Sequence, residues 1–413
     1  MRGLLILAAL ATPAGAEGLQ LTRGLNLDIW VEGRSVGDML TEPGFLTPFP
    51  DWRRHMPPGR IESLTADGFD FVRFALDPAP MLALGRGERR AAMVRDIRDG
   101  VDLLQRAGLA VVVDLHIMPR PGEPWDTETL LADPAAFNAY LDLVAEVGAG
   151  LHGLPPDRTA FEPMNEPVVD CQLIWDHSDA PGVWPGMLAR MHDAAREGAP
   201  DLPLVLSGSC WGGVQGLLRL DPAVVQDDNV IWSFHSYDPF TFTHQYASWT
   251  RSPLMFLQGV PYPPSALTDD VAARRATEAA ARAAVSTSDL AEDVTVDTFA
   301  AMLADYRALP DSTATDGIAQ AVAWADAHGI PHQRLLLGEF GAMGYEANGR
   351  AWGEPARHAF LADVSGAAQA AGVGWAVWEW TGQMRVSSDN TTRAMDPAIC
   401  TALTLAGCAG AAP

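Results

Sequence analysis

Thr159-Ala160-Phe161-Glu162-Pro163-Met164-Asn165-Glu166-Pro167 ends on an amide, a carboxylic acid and a proline. Proline lacks the N–H that a sheet ladder uses, so a buried strand through this stretch has to stop at or just before Pro167. Asn165 and Glu166 then stand at a strand's C-terminal end, where barrel folds present their chemical groups. One carboxylate in such a place proves little. The rest of the chain decides whether other strand ends surround it.

Just upstream, Leu109-Ala110-Val111-Val112-Val113-Asp114-Leu115-His116 is a continuous apolar run, the kind buried on both faces in a parallel sheet. Before it, Arg89–Ala107 carries Met93, Ile97, Val101 and Leu104 at helical spacing and stops at Gly108. This unit recurs along the chain. Further strands are predicted at Leu21–Trp30, Phe69–Leu76, Leu202–Ser209, Asn229–Tyr237, Arg334–Gly341 and Val373–Trp380. Helices are predicted at Pro58–Asp67, Pro134–Val147, Pro185–Glu197, Asp316–His328 and Ala356–Ala371. Strands alternating with helices in this way predict an α/β fold, a closed (β/α)8 TIM barrel. An open doubly wound sheet would need a Gly-rich phosphate-binding turn after an early strand, and none is present. One interval, from Tyr237 to Arg334, is longer than a crossover needs. Asp269–Ala284 and Val296–Ala308 read as extra helices there, so 240–312 is expected to be a helical insertion after strand six, sitting over the rim. It has too few large apolar residues for a core of its own.

At 48% hydrophobic and 19% charged residues, the composition is ordinary for a globular protein. Arg2, the apolar run Leu4–Leu10 and Ala14-Gly15-Ala16 read as a signal peptide over 1–16. That run is too short to span a bilayer. The expectation is a secreted or periplasmic protein whose residues 17–413 form one domain. All 28 basic residues are arginine, which excludes Schiff-base chemistry on a lysine. A net charge of −24 argues against nucleic acid or an anionic membrane as partner and fits a neutral substrate better. Four cysteines in an exported chain suggest disulfides. Three pairings are possible, and the expected one joins Cys400 to Cys408 in the C-terminal tail and Cys171 to Cys210 between two rim loops. There is no CxxC pair to suggest zinc.

The strand ends carry Asn26, Asp28 and Trp30, then Arg73, His116, Asn165, Glu166, His235, Tyr237, Glu339 and Trp378. In a closed barrel these face one mouth. Two acids across such a mouth suit glycoside cleavage, one protonating the leaving oxygen and the other attacking the anomeric carbon. Each also has a bland reading: Arg73 as an ion-pair partner, the histidines as satisfied polar groups, Trp378 as core. Glu162 lies too deep to reach solvent and is expected to be a buried, hydrogen-bonded acid. Glu379 should point away from Trp378, toward the helices. Asp114 and His116 lack the further strand-end ligands a metal barrel needs, so no metal or cofactor is expected. Trp125, Trp175, Trp184, Trp211 and Trp249, on loops after strands three to six, are candidates for stacking on sugar rings.

With these motifs the chain resembles the glycoside hydrolase family 5 cellulases, retaining (β/α)8 glycosidases. Asn165-Glu166-Pro167 and Gly338-Glu339-Phe340-Gly341 carry the resemblance most specifically, with His235-Ser236-Tyr237 between them. The resemblance implies Glu166 as acid/base and Glu339 as nucleophile. It implies Asn165 on the sugar 2-hydroxyl, His235 beside the acid, Tyr237 and Arg73 tuning Glu339, and His116 with Trp378 lining the attacked sugar's subsite. The substrate implied is a β-linked polysaccharide or oligosaccharide, acted on by a monomer. An exo-acting β-glucosidase, a β-1,3-glucanase or a mannanase is the alternative. A non-catalytic carbohydrate-binding barrel is the reading from another class.

Overall fold

The computed structural model describes residues 18–30, 35–41, 57, 59–119, 123–291, 294–346 and 349–407. The expected signal peptide, Cys408 and the side chains of Asp28 and Trp30 lie outside the described residues. Eight strands form the sheet: β1 (Arg23–Trp30), β2 (Phe71–Leu76), β3 (Ala110–Leu115), β4 (Thr159–Glu162), β5 (Leu204–Ser207), β6 (Val230–His235), β7 (Leu335–Phe340) and β8 (Gly374–Val377). Each pairs in parallel with the next, and β8 returns to β1 to close the barrel. Every residue of β2 and β3 is buried, as strands covered on both faces require.

Alternation along the strands builds the interior in layers. Phe71, Ala110, Val112, Ala160, Val205, Ile231, Leu336 and Ala376 pack together as an apolar floor inside the barrel. Two residues further along the same strands, the inward positions become polar: Arg73, Asp114, Glu162 and Ser233. The outward set, including Val72, Phe74, Val111, Val113 and Phe161, joins the helix layer in one large apolar cluster. Helix Glu88–Arg106 buries Met93, Ile97, Val101 and Leu104, the face its spacing predicts. Helix Pro134–Leu151 starts where Asp133 accepts from the Ala135 N–H, with a proline in its first turn.

The strand limits shift in ways that matter for the site. β4 ends at Glu162, not near Pro167, because Pro163 already removes a ladder donor. Beyond it, the Asn165 N–H bond to the Leu115 carbonyl, at 3.0 Å, continues the contact with β3. Asn165 and Glu166 therefore sit on a turn above the strand, and Glu166 itself has φ +42°. On β7 the register slips against β6: Phe234 faces Leu337, but His235 faces Glu339. That extra residue is a bulge at Gly338, and it turns Glu339 to the inside.

The interval after β6 contains the two expected helices, Asp269–Ala284 and Val296–Ala308, packed on one another. Their buried residues, among them Ala276, Ala279, Phe299, Leu303 and Tyr306, are continuous with the main apolar cluster. Phe242 and Tyr262 tie the segment to helix Glu354–Ala371 through Phe360, at ring separations of 5.6 and 5.5 Å. Its beginning touches the rim. Ala247 packs with Met343 and Met384 beside Tyr237 and Trp378.

Candidate active site

Arg73, two residues along β2 from the floor residue Phe71, is fully buried and organises the polar layer. Its Nε and Nη2 donate to the two oxygens of Glu162 at 2.7 and 2.9 Å, a fork-to-fork pair. Nη2 also lies 3.0 Å from Asp114 Oδ2, and Nη1 donates to Glu339 Oε1 at 2.7 Å. Burial works against the guanidinium's charge, but Asp114, Glu162 and Glu339 outweigh it and raise the pKa well above the ordinary value.

A second chain of bonds fixes Asn165. Its Oδ1 accepts from Arg73 Nη2 at 2.6 Å, so its amide nitrogen is the end that meets His116 Nε2 at 3.0 Å. That nitrogen can only donate, so Nε2 accepts and the ring's proton sits on Nδ1, facing Asp114 Oδ2 at 2.9 Å. Burial lowers the His116 pKa to about 4, keeping the ring neutral as this pattern requires. Burial lifts Asp114 to about 7 against the pull of Arg73. His116 stacks on Trp378 with ring centroids 5.3 Å apart. The second N–H of Asn165 has no partner among the described residues.

The two glutamates are held differently. Glu339 is gripped at both oxygens, by Arg73 on Oε1 and by the Tyr237 hydroxyl, which donates to Oε2 at 2.8 Å. Burial and the charges of Glu339, Glu166 and Glu379 push the Tyr237 pKa up, so the phenol stays protonated and donates. Among the described residues Glu166 has one hydrogen-bond partner, His235 Nδ1, 2.8 Å from its Oε1. Burial raises the Glu166 pKa to about 7, while a quarter of the side chain (24%) stays open to solvent. Burial lowers His235 to about 4. A neutral imidazole accepts from a protonated Glu166 or, as the other tautomer, donates to the carboxylate. It accommodates either state.

Glu166, His235 and Glu339 offer three atoms within 4.8 Å of one another, close enough to consider a cation. Arg73 bonded directly to Glu339 puts a fixed positive charge beside that position, which opposes it. The same spacing leaves one carboxylate oxygen of Glu166 and one of Glu339 within 4.8 Å of each other.

Thus Arg73, His116, Asn165, Glu166, His235, Tyr237, Glu339 and Trp378 share one mouth, and Glu162 is the buried, hydrogen-bonded acid expected of it. Two expectations need correction. Trp184 is not a loop platform: it is 2% exposed, its indole N–H bonded to the Ser207 carbonyl at 3.0 Å, because it opens helix Trp184–Gly198 against the barrel. Glu379 does not follow strand alternation, since β8 ends at Val377. It lies at the Gly382 turn, close enough to act on Tyr237. Trp125 is partly buried against the core, while Trp175, Trp211 and Trp249 are exposed. Asn26 belongs with the site although only its place on the first strand pointed there. It accepts from Arg73 Nη1 at 3.1 Å and donates to the carbonyls of Gly338, Ala376 and Val377. The Cys171–Cys210 disulfide is present, with Cα atoms 4.8 Å apart, and the other expected pair falls on Cys408, outside the described residues.

Among curated relatives, Endoglucanase C of Acetivibrio thermocellus is 27% identical over 49% of this chain and 56% of its own length. Cellodextrinase A of Ruminococcus flavefaciens is 26% identical over 56% and 62%. Endoglucanase 3 of Fibrobacter succinogenes is 23% identical over 69% of this chain and 38% of its own length. This chain thus spans about half the length of the curated relatives it matches. The fold is shared with solved structures of low identity. Cellulose synthase subunit Z from Clostridioides difficile aligns over 93% of this chain and 99% of its own, at TM-score 0.61 and 18% identity. Endoglucanase Cel5A from Thermotoga maritima aligns over 94% and 99%, at TM-score 0.59 and 19% identity. The family model described as cellulase, glycosyl hydrolase family 5, spans residues 52–384 and so takes in seven of the eight strands and both glutamates. The chain belongs to that family.

Proposed function

We propose that this chain is an exported, retaining glycoside hydrolase that cleaves β-linked glucan by double displacement on Glu166 and Glu339. The observation that carries the reading is the asymmetry of the pair. Glu339 is clamped by two donors, Arg73 and Tyr237, while Glu166 is desolvated beside a neutral histidine. Two nearby carboxyls in unlike environments divide into a base and an acid.

In the first step a Glu339 oxygen attacks the anomeric carbon, and the leaving oxygen takes the proton of Glu166. In the second, Glu166 as carboxylate takes a proton from water, the water oxygen attacks the same carbon, and Glu339 departs as carboxylate. Asn165 donates its free N–H to the sugar 2-hydroxyl, and His116 with Trp378 forms the wall of that subsite. The Cys171–Cys210 bond supports export to an oxidising compartment. The endoglucanases and cellodextrinase among the relatives support a β-glucan. A solved complex of Thermotoga maritima Cel5A with mannotriose keeps mannan as the second substrate to test.

The test is a proton-NMR time course on a cellooligosaccharide and on a mannooligosaccharide with the folded chain and Glu339→Gln. The first-formed anomer should be β, and Glu339→Gln should bind but not turn over. An α first product, or unchanged turnover in Glu339→Gln, overturns the mechanism.

A further inference from the structure

The disulfide joins two loops at the place where both touch Glu166. From Glu166 the chain runs through Pro167 to Asp170, whose carboxylate accepts from the Val183 and Trp184 N–H groups at 3.1 and 2.9 Å, and then to Cys171. Opposite, the loop after β5 makes three consecutive left-handed residues, Cys210, Trp211 and Gly212, at φ +55°, +63° and +61°. Only the last is a glycine, so the turn is one that its first two residues do not favour by themselves. It is laced to the acid's surroundings on both sides. The Trp211 N–H donates to the Pro167 carbonyl at 3.3 Å, and the Gly212 carbonyl accepts from the His235 N–H at 2.9 Å. A Cβ on Gly212 would lie 3.9 Å from Glu166 Cγ and 3.7 Å from the His235 ring, so the turn's backbone covers both side chains. Farther from the acid, Arg219 joins the same two connections by donating to the Ser178 and Ala180 carbonyls at 2.6 and 2.9 Å, so beside Glu166 itself the described links are the Trp211–Pro167 bond and Cys171–Cys210.

We propose that the Cys171–Cys210 disulfide is a positioning clamp for proton donation by Glu166, holding an unfavoured turn over the acid and over the histidine that partners it. The inference rests on the assignment of Glu166 as acid. Cys171 and Cys210 touch no substrate; they act through the turn. The clamp therefore matters in proportion to how much the leaving group needs a proton. A sugar leaving group needs it fully, and a dinitrophenolate does not. Loosening the turn also lets water reach Glu166, which moves its titration back toward the ordinary carboxyl range.

The experiment compares kcat/KM of Cys171→Ser and Cys171→Ser/Cys210→Ser with the native chain, on cellotetraose and on dinitrophenyl β-cellobioside. Circular dichroism verifies folding. If the variants do not fold, gentle reduction of the folded native chain supplies the same comparison, with free Cys171 and Cys210 counted by alkylation and mass spectrometry. The expected result is a fall of about tenfold on cellotetraose, less than about twofold on the activated glycoside, and an alkaline limb displaced to lower pH. Equal losses on both substrates, or no loss, overturn the clamp. Glu166→Gln run alongside separates the two readings. If it shows strong leaving-group dependence and the cysteine variants do not, only the clamp fails. If Glu166→Gln itself shows none, the acid assignment fails and the clamp with it.

Discussion

Arg73 is wholly without solvent and still charged, because three carboxylates close around it. Glu162 is the one that takes two of its nitrogens, so Glu162→Ala leaves a buried guanidinium half paired. Breaking one side of a buried pair costs about 3 kcal/mol, to be read from urea unfolding. The same change frees Arg73 to swing from Glu339 and Asn165, and kcat should fall at least about tenfold. Full activity in a destabilised variant would separate the ion pair from the site. Glu166 carries the opposite cost. Its carboxyl titrates at 4.5 unfolded and about 7 folded, so the folded chain holds the proton between those values. The contribution to stability is complete below pH 4.5 and is lost as pH rises through 7, where the charge is buried. Glu166→Gln does not titrate. Its advantage over the native chain should grow across that window to on the order of 2 kcal/mol, less than the full shift because the side chain is partly wet. A stability difference that does not change with pH would contradict the raised carboxyl.

The bulge on β7 does at the level of the strand what no single side chain does: it delivers Glu339 to the inside at a position where alternation would send it out. It depends on a glycine. A Cβ on Gly338 would come 2.6 Å from Ser233 Oγ and 3.0 Å from His235 Nε2, so β6 has to move, and His235 with it. Gly338→Ala should lower kcat/KM on the order of 100-fold. Ser233 Oγ is buried without a hydrogen-bond partner among the described residues, so Ser233→Ala costs little and removes the closer clash. The double variant should therefore recover part of the lost rate; no recovery would place the damage elsewhere. This is also where reading from sequence reached its limit. Apolar runs ending in Arg73, His116, Asn165-Glu166 and Glu339 were visible because burial on both faces leaves a continuous signature that polar ends interrupt. The early end of β4 could have been read from Pro163, which lacks the same donor as Pro167, whereas the β7 bulge and the departure of Glu379 from alternation were not visible. Each depends on how one strand meets its neighbour, and no single strand's composition records that. Trp184 failed for the same reason: a tryptophan after a strand looks the same whether its helix folds it inward or its loop leaves it out. Asn26 was seen as a strand end, but its bonds to Arg73 and to the carbonyls near β7 and β8 exist only once the barrel closes.

At the scale of the whole molecule the chain carries −24, with no lysine and an excess of acids over its 28 arginines. The site itself accounts for little of this charge, since Asp114, Glu162, Glu166 and Glu339 are few among 52 acids and Arg73 offsets one of them. A net charge of −24 predicts that the field a substrate meets on approach is set by the surface and is negative. A neutral glucan is indifferent to it, while a carboxymethylated glucan is repelled until salt screens the charges. Raising ionic strength from about 0.01 to about 0.1 M shortens the Debye length from roughly 30 to roughly 10 Å, well inside the dimensions of the barrel. KM for carboxymethyl cellulose should drop several-fold over that range, with kcat unchanged. KM for hydroxyethyl cellulose or cellohexaose should stay constant. The contrast is the measurement: equal salt responses on charged and neutral polymers would mean that the net charge exerts no field at the mouth. A rise in KM for the anionic polymer would mean that local positive charge at the mouth, and not the net charge, governs its approach.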